Sequence, residues 1–229
     1  MRVACVGYGR MGREISRVAA SRGHEMCWRL SREENAEGKG LAPERIAQAE
    51  VIFEFTTPES APENLLTLAG AGARVVCGTT GWQDDFARVA EAFRRGGGAL
   101  VHATNFSIGV RLFFETAQVA ASLFPGAGYA SYLVEEHHAG KRDAPSGTAR
   151  TLLDLVEAAG AERPSAVSVR AGTIPGLHRL VFESPEDEIE LIHRARGRAG
   201  FAKGAVWAAE RIAGRAGVFE FGDLLREAQ

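Results

Sequence analysis

Val3-Ala4-Cys5-Val6-Gly7-Tyr8-Gly9-Arg10-Met11-Gly12, at the start of the chain, decides the fold. Its first four residues form a short apolar run. Beyond the glycines, Arg13–Arg22 follows at helical spacing, with Ile15, Val18 and Ala19 as an apolar stripe. Between strand and helix the chain reads G-x-G-x-x-G. The first glycine permits a tight turn, the second lets backbone approach a pyrophosphate, and the third allows close helix–strand packing. The N–H groups at the helix start add donors and partial positive charge. Strand, glycine turn and helix in this order predict a dinucleotide-binding unit; a glycine turn without a ligand would need none of this context.

Working outward, the alternation continues. Strand signals at Met26–Leu30, Val51–Phe55, Arg74–Cys77 and Leu100–His102 are separated by helical stretches at Glu44–Ala49, Asn64–Ala69 and Gln83–Arg95. Such a rhythm predicts a parallel sheet with helices on both faces. It changes after about residue 105. A long helix, Val110–Leu123, precedes a strand at Ser131–Glu136 and a helix at Thr148–Ala159. Three strand-like stretches follow without helices between them: Val167–Arg170, Arg179–Phe182 and Glu188–Ile192. A last helix, Ala202–Ala213, is expected to return to the first domain. The predicted class is α/β: a Rossmann-like parallel-sheet dinucleotide-binding domain over residues 1–106 and 206–229, plus an α+β domain over 107–205 with an open mixed or antiparallel sheet.

Composition narrows the partners. With 27 Lys and Arg against 29 Asp and Glu the net charge is −2, so neither nucleic acid nor an anionic membrane is the expected partner. No apolar run is long enough to span a bilayer, and the first strand begins too early to leave room for a signal peptide. Cys5, Cys27 and Cys77 lie in strand segments without metal-ligand spacing, so they read as core thiols of a cytoplasmic protein, and no metal is expected.

NAD-binding versions of this unit place an acid at the end of the second strand, on the ribose 2′-hydroxyl. Here Arg29-Leu30-Ser31-Arg32 stands there, with Glu33 and Glu34 the nearest acids. Ser31 and Arg32 suit a 2′-phosphate, and Arg10 or Arg13 could add charge. NADPH is therefore favoured, with NADH possible if Glu33 does the acid's work and Arg32 is only a solvated surface residue.

The most informative stretch is Glu135-Glu136-His137-His138-Ala139-Gly140-Lys141-Arg142-Asp143-Ala144-Pro145-Ser146-Gly147-Thr148-Ala149. Two imidazoles, an ammonium and a helix start lie within a short length of chain. The set suits a small dianionic substrate that accepts a proton as well as a hydride. Taken singly, a His-His pair is more often structural, Lys141 a surface lysine, and Ser146 and Thr148 helix caps. Their joint spacing reverses that reading.

The segment resembles the dihydrodipicolinate reductase signature, E-x-H-H-x-x-K-x-D-x-P-S-G-T-A, at every fixed position. Other stretches resemble the same family in its order: Phe55-Thr56 with Pro58, Gly78-Thr79-Thr80-Gly81, Ala103 to Val110, and Arg198 with Phe201-Ala202-Lys203-Gly204-Ala205. The resemblance implies reduction of a cyclic dicarboxylate in lysine and diaminopimelate biosynthesis. It makes His137 the general acid/base and Lys141 the proton donor. Substrate would be held by His138, Ser146, Gly147 and Thr148. Cofactor would be held by Gly7, Tyr8, Gly9, Arg10, Met11 and Gly12, by Ser31 and Arg32, by Gly78, Thr79 and Thr80, by Ala103, Thr104, Asn105 and Phe106, and by Arg198 and Phe201. It further implies a homotetramer built through the second, substrate-binding and oligomerisation domain. Three departures stand out: the glycine turn is one residue shorter than usual, Glu54 stands where aspartate is usual, and the segment after Gly160 is short. His24, His102, His178 and His193 carry no evident catalytic role.

Two rivals share parts of this pattern. An amino-acid dehydrogenase fits the glycine turn and the strand order, but not the His137-His138-x-x-Lys141 segment. A non-catalytic nucleotide sensor would be expected to lose His137 or Lys141, and both are present.

Overall fold

Val3–Val6 are wholly buried, which places β1 (Arg2–Val6) in the middle of a sheet. In the computed structural model, which describes residues 1–228 apart from the side chain of Glu37, β1 is flanked by β2 (Glu25–Leu30) and β3 (Val51–Glu54). Next come β4 (Arg74–Cys77), β5 (Ala99–His102) and β10 (Gly217–Glu220). The six strands run parallel in the order β10-β5-β4-β3-β1-β2. The chain turns to opposite sides after β1, so a crevice opens beyond the strand ends at that switch point, where α/β sheets take their ligands.

Strand residues point alternately to the two faces. Ala4, Val6, Ile52, Cys77 and Leu100 pack against Leu65 and Leu68 of α3 (Ala61–Gly70) and Val89 and Phe93 of α4 (Phe86–Gly96). α1 (Arg10–Ser21) lies on the Cys5 face, with Gly12 so close that a Cβ there would stand 3.0 Å from Cys5 Sγ. The helix opens directly after Gly9, three residues before the expected start, so Arg10 to Gly12 form its first turn. α7 (Ala199–Ile212) is tied to the end of α1 through Glu210, which accepts from Arg22 Nη2 at 2.7 Å and lies 2.8 Å from His24 Nε2.

The chain divides into two units, Met1–Ser107 with the chain from Phe201, and Ile108–Gly200. Phe201 to Ala205, expected with the second domain, thus belong to the first unit. The cause is close packing at Gly204, where a Cβ would fall 1.7 Å from the Phe106 carbonyl oxygen. β10 and α8 (Phe221–Arg226) were not expected from the sequence at all; β10 adds to the sheet edge beside β5.

The second unit is a four-stranded sheet of β6 (Ala130–His137), β7 (Ser165–Arg170), β8 (Leu177–Glu183) and β9 (Glu188–Arg194), in the order β7-β6-β8-β9. β6 pairs β7 in parallel, while β8 is antiparallel to both β6 and β9. Of the three last strands, β8 and β9 are therefore neighbours, but β7 is parted from them by β6. α6 (Gly147–Ala158) is the crossover that brings β7 to the far side of β6. α5 (Ile108–Leu123) and α6 cover one face, with Phe113, Phe114, Leu152 and Val156 on Leu133, Leu180 and Phe182.

Candidate active site

Period-two alternation along β6 sends Leu133, Glu135 and His137 to the covered face, where all three are buried. Leu133 joins the apolar core, whereas Glu135 and His137 lie nearer the strand end. Register supplies their neighbours. Ser168 of β7 and His178 of β8 stand opposite Glu135 on either side, and Arg170 stands opposite His137. The start of α6 closes over this row. Ser146, its N-cap, accepts from the Ala149 N–H at 3.2 Å through Oγ and donates its own N–H to Glu135 Oε1 at 2.9 Å.

Glu135 Oε1 also accepts from Ser168 Oγ at 2.7 Å and from Arg170 Nη2 at 2.6 Å. Burial works against the carboxylate, but these bonds outweigh it and hold the acid at about 2. Its other oxygen, Oε2, lies 3.3 Å from His137 Nδ1 and 3.7 Å from His178 Nε2. Neither Glu135 Oε2 nor His137 Nδ1 is aligned for a hydrogen bond. The two rings meet edge to face at 5.2 Å. Burial lowers both imidazoles, His178 to about 4, and Glu135 offsets part of the effect. Gly176 makes room for this packing, since a Cβ there would stand 3.2 Å from His137 Nε2.

Lys141 follows in the loop after β6. Its N–H donates to the His138 carbonyl at 3.0 Å and its Nζ pairs with Asp143 Oδ1 at 2.7 Å. Its charge also depresses His137 and His178. His138 and Gly147 are exposed, and a Cβ on Gly147 would meet nothing within 4 Å, so the helix start is open to a ligand. His137, Lys141, Ser146, Gly147 and Thr148 are thus gathered at one end of the second unit. Ser146 is there as the cap that joins helix to carboxylate, with 2% of its surface exposed. Glu135, His137 and His178 offer ligand-type atoms within 4.8 Å of one another, but Arg170 and Lys141 oppose a dication there.

In the first unit, Gly7 adopts φ +91°, and a Cβ there would fall 2.1 Å from the Phe55 carbonyl oxygen. Gly9 is the N-cap of α1 with open space around its Cβ position, and no described side chain caps that helix. A 12-residue helix whose start is uncapped and cradled by glycines fits a pyrophosphate. Tyr8 lies under the Arg29 guanidinium, 5.1 Å from ring centre to Cζ. Ser31 follows β2, with its N–H donating to Glu34 Oε2 at 2.8 Å; Arg32 is exposed. Thr79 is buried and Thr80 exposed. Phe106 is packed between Phe55 and Phe221, so only its backbone can face a cofactor. Ala103 to Asn105 follow β5, with Asn105 Oδ1 accepting from the Ser107 N–H at 2.8 Å. Arg198 is exposed in the second unit and Phe201 is half-buried in the first.

Residues 1–106 match the N-terminal model of dihydrodipicolinate reductase and residues 109–225 the C-terminal one. The chain belongs to the dihydrodipicolinate reductase family. It is 35% identical to a 4-hydroxy-tetrahydrodipicolinate reductase of Christiangramia forsetii, covering 99% of this chain and 98% of that one. It is 36% identical to one of Natronomonas pharaonis, covering 98% and 100%. Among solved structures, a dipicolinate-bound dihydrodipicolinate reductase from Paenisporosarcina shares the fold with a TM-score of 0.80 at 21% identity, over 96% of this chain and 97% of that one. A diaminopimelate dehydrogenase of Corynebacterium glutamicum shares it more loosely, with a TM-score of 0.58 at 14% identity over 97% and 93%. Among the described residues no helix is long and apolar enough to cross a membrane.

Sequence reasoning about this reductase gave no role to Glu135 or Arg170 and weighed His178 without finding one. Glu135 carried a usable signal: it is the first residue of the signature and shares the His137 face of a strand. Arg170 and His178 carried none, because only the strand order brings them there.

Proposed function

We propose that this reductase converts 4-hydroxy-2,3,4,5-tetrahydrodipicolinate to 2,3,4,5-tetrahydrodipicolinate with a nicotinamide cofactor, in cytoplasmic diaminopimelate and lysine biosynthesis. The observation that carries the reading is the buried Glu135–His137–His178 cluster under the open start of α6, with Lys141 in the adjoining loop. NAD(P)H, when bound, supplies the hydride. Gly7 to Gly12 hold its pyrophosphate through the start of α1, Ser31 and Arg32 the adenosine end, and Gly78 to Thr80 with Ala103 to Phe106 the nicotinamide end. Arg198 and Phe201, near where the chain leaves the second unit for the first, add to the cofactor's contacts.

The backbone N–H groups of Gly147 and Thr148, with His138, bind the substrate carboxylates. Lys141 Nζ donates the proton that balances the hydride, and His137 acts as general acid/base. Glu135 orients His137 by facing Nδ1 and favouring the tautomer that carries its proton there. Loss of the 4-hydroxyl as water balances the equation: substrate, NAD(P)H and a proton give product, NAD(P)⁺ and water. General acid catalysis of this kind contributes about 10²–10⁴-fold.

NADPH is the favoured cofactor because Arg32 stands exposed beyond β2. NADH use is the second reading, and Glu34 favours it: its carboxylate occupies the Ser31 N–H that a 2′-phosphate would otherwise take. The homotetramer reading finds support in Val167 and Ile192, 58% and 51% exposed on the second sheet.

The test is NADPH oxidation, followed by absorbance, with freshly made product of dihydrodipicolinate synthase. Turnover is expected, and His137→Gln and Lys141→Met should each lower kcat by about 10²–10⁴-fold. No oxidation with either coenzyme would defeat the reading. NADPH oxidation only with a keto acid and ammonia, or NADP⁺ reduction by an amino acid, would replace it with an amino-acid dehydrogenase.

A further inference from the structure

Glu54 ends β3, opposite Val6 of β1 and Cys77 of β4, and is wholly buried. All described hydrogen-bond partners of its carboxylate are neutral. Thr79 Oγ1 donates to Oε2 at 2.6 Å and Cys77 Sγ lies 3.4 Å from the same oxygen. Asn64 Nδ2 donates to Oε1 at 3.3 Å, and Thr56 Oγ1 donates to it too. Thr79 Oγ1 in turn accepts from the Thr56 N–H at 2.8 Å. Asn64, in α3 and 2% exposed, accepts through Oδ1 from Asn35 Nδ2 at 2.9 Å.

These bonds form one chain, Asn35–Asn64–Glu54–Thr79, with Thr56 attached to both of its last members. It joins three loops at the same edge of the sheet: those after β2, β3 and β4. The loop after β2 carries Ser31 and Arg32, and the loop after β4 carries Gly78 to Thr80. Burying a carboxyl and an amide is costly unless each finds partners, and an apolar pair would fill the same volume more cheaply. Burial pushes the Glu54 acid up, in keeping with a group that meets only neutral donors.

We propose that Glu54 and Asn64 are positioning residues that lock the adenosine-side and nicotinamide-side loops to one another, so that Thr56 and Thr79 are held in place across the length of the cofactor. The proposal rests on the reading of those loops as the cofactor site. Neither residue touches the reacting atoms. Their effect is on placement, and a small misplacement at the reacting centre is enough to slow transfer up to about 10²-fold.

The experiment uses full-length Glu54→Leu, Asn64→Leu and Glu54→Gln. NADPH binding is read by coenzyme fluorescence, turnover by kcat and KM, and hydride transfer by the isotope effect with 4-deuterated NADPH. The Leu variants are expected to raise the NADPH Kd about tenfold and to enlarge the isotope effect, while Glu54→Gln returns both to within about threefold of wild type. Folded Leu variants with wild-type Kd and isotope effect would overturn the proposal, as would a Gln variant as impaired as Glu54→Leu. Should the Leu variants fail to fold, Asn35→Ala breaks the outer link in a surface loop. It is expected to weaken NADPH binding about threefold, and an unchanged Kd there overturns the proposal too. A wild-type protein that binds NADPH without reducing the dipicolinate precursor would sink the activity alone. One that binds neither coenzyme would sink both.

Discussion

Glu135→Gln tests the electrostatics of the site most directly, because it changes charge and almost nothing else. The carboxyl is wholly buried and held at about 2 instead of the ordinary 4.5. That difference corresponds to about 3 kcal/mol of stability at pH 7. An independent figure agrees: removing one partner of a buried ion pair, here with Arg170, costs roughly 3–5 kcal/mol. Because the folded value lies below the unfolded one, the contribution is complete above the ordinary carboxylate value and is lost as pH falls toward the folded value. The gap between wild type and variant should therefore be about 3 kcal/mol at pH 7 and less than half of that at pH 3. Urea unfolding of both proteins at one protomer concentration measures it. The same substitution removes the negative charge facing His137 Nδ1, which favours the imidazolium. The acid limb of the pH profile of kcat/KM should shift to lower pH. A gap below about 1 kcal/mol at pH 7, or one that widens as pH falls, would refute the account of Glu135 as an ionised, bonded anchor.

The glycine turn separates stability from binding. In Gly12→Ala the new Cβ would lie 2.6 Å from the Gly7 carbonyl oxygen, so about 1–3 kcal/mol of stability should be lost. Gly9→Ala meets open space and should leave Tm unchanged while weakening NADPH binding; equal Tm losses in the two would contradict the packing described. Arg32→Ala should cut the kcat/KM ratio of NADPH to NADH about tenfold and Glu34→Gln should raise it; an unmoved ratio in both removes these groups from cofactor choice. A thiol reagent at pH 8 should label Cys27 first, because Cys5 is buried and pushed up to about 12 and Cys77 is buried and raised as well. Early labelling of Cys5 would mean that the first strand opens.

The first sheet was legible because its signal is local. Its central strands are runs such as Val51–Phe53 or Val75–Cys77, buried on both faces, and the half-buried edge strand β2 is set off by Gly23. β10 escaped because Gly217–Glu220 offers only Val218 and Phe219 after a helix that looks final; its pairing with β5 lends it stability that its own residues lack. The second sheet was half legible. Strand, helix and strand at 131–170 could have been read as a parallel crossover, which α6 makes. The three consecutive strands after α6 suggested an open, mostly antiparallel sheet instead, and nothing local told β7 to take the far side of β6.

The same physics explains what was missed in the site. His137 and Lys141 announce themselves by spacing, but their charges are set by residues that arrive through register. Arg170 has the chemistry of a carboxylate receptor, yet it is committed to Glu135 at 2.6 Å and donates also to the Asp143 carbonyl at 2.6 Å. Burial lowers both His137 and His178, so neither is a cation at neutral pH. The positive charge left to greet a dicarboxylate therefore comes from Lys141 and the exposed Arg142 of the same loop, together with the partial charge at the start of α6. Lys141 is held at 2.7 Å by Asp143, whose side chain is 42% exposed. A substrate carboxylate must compete with that pair or displace it. Asp143→Asn should accordingly lower KM for the dicarboxylate while leaving coenzyme KM unchanged. If KM for the dicarboxylate rises instead, Asp143 orients the ammonium rather than rivalling the substrate for it.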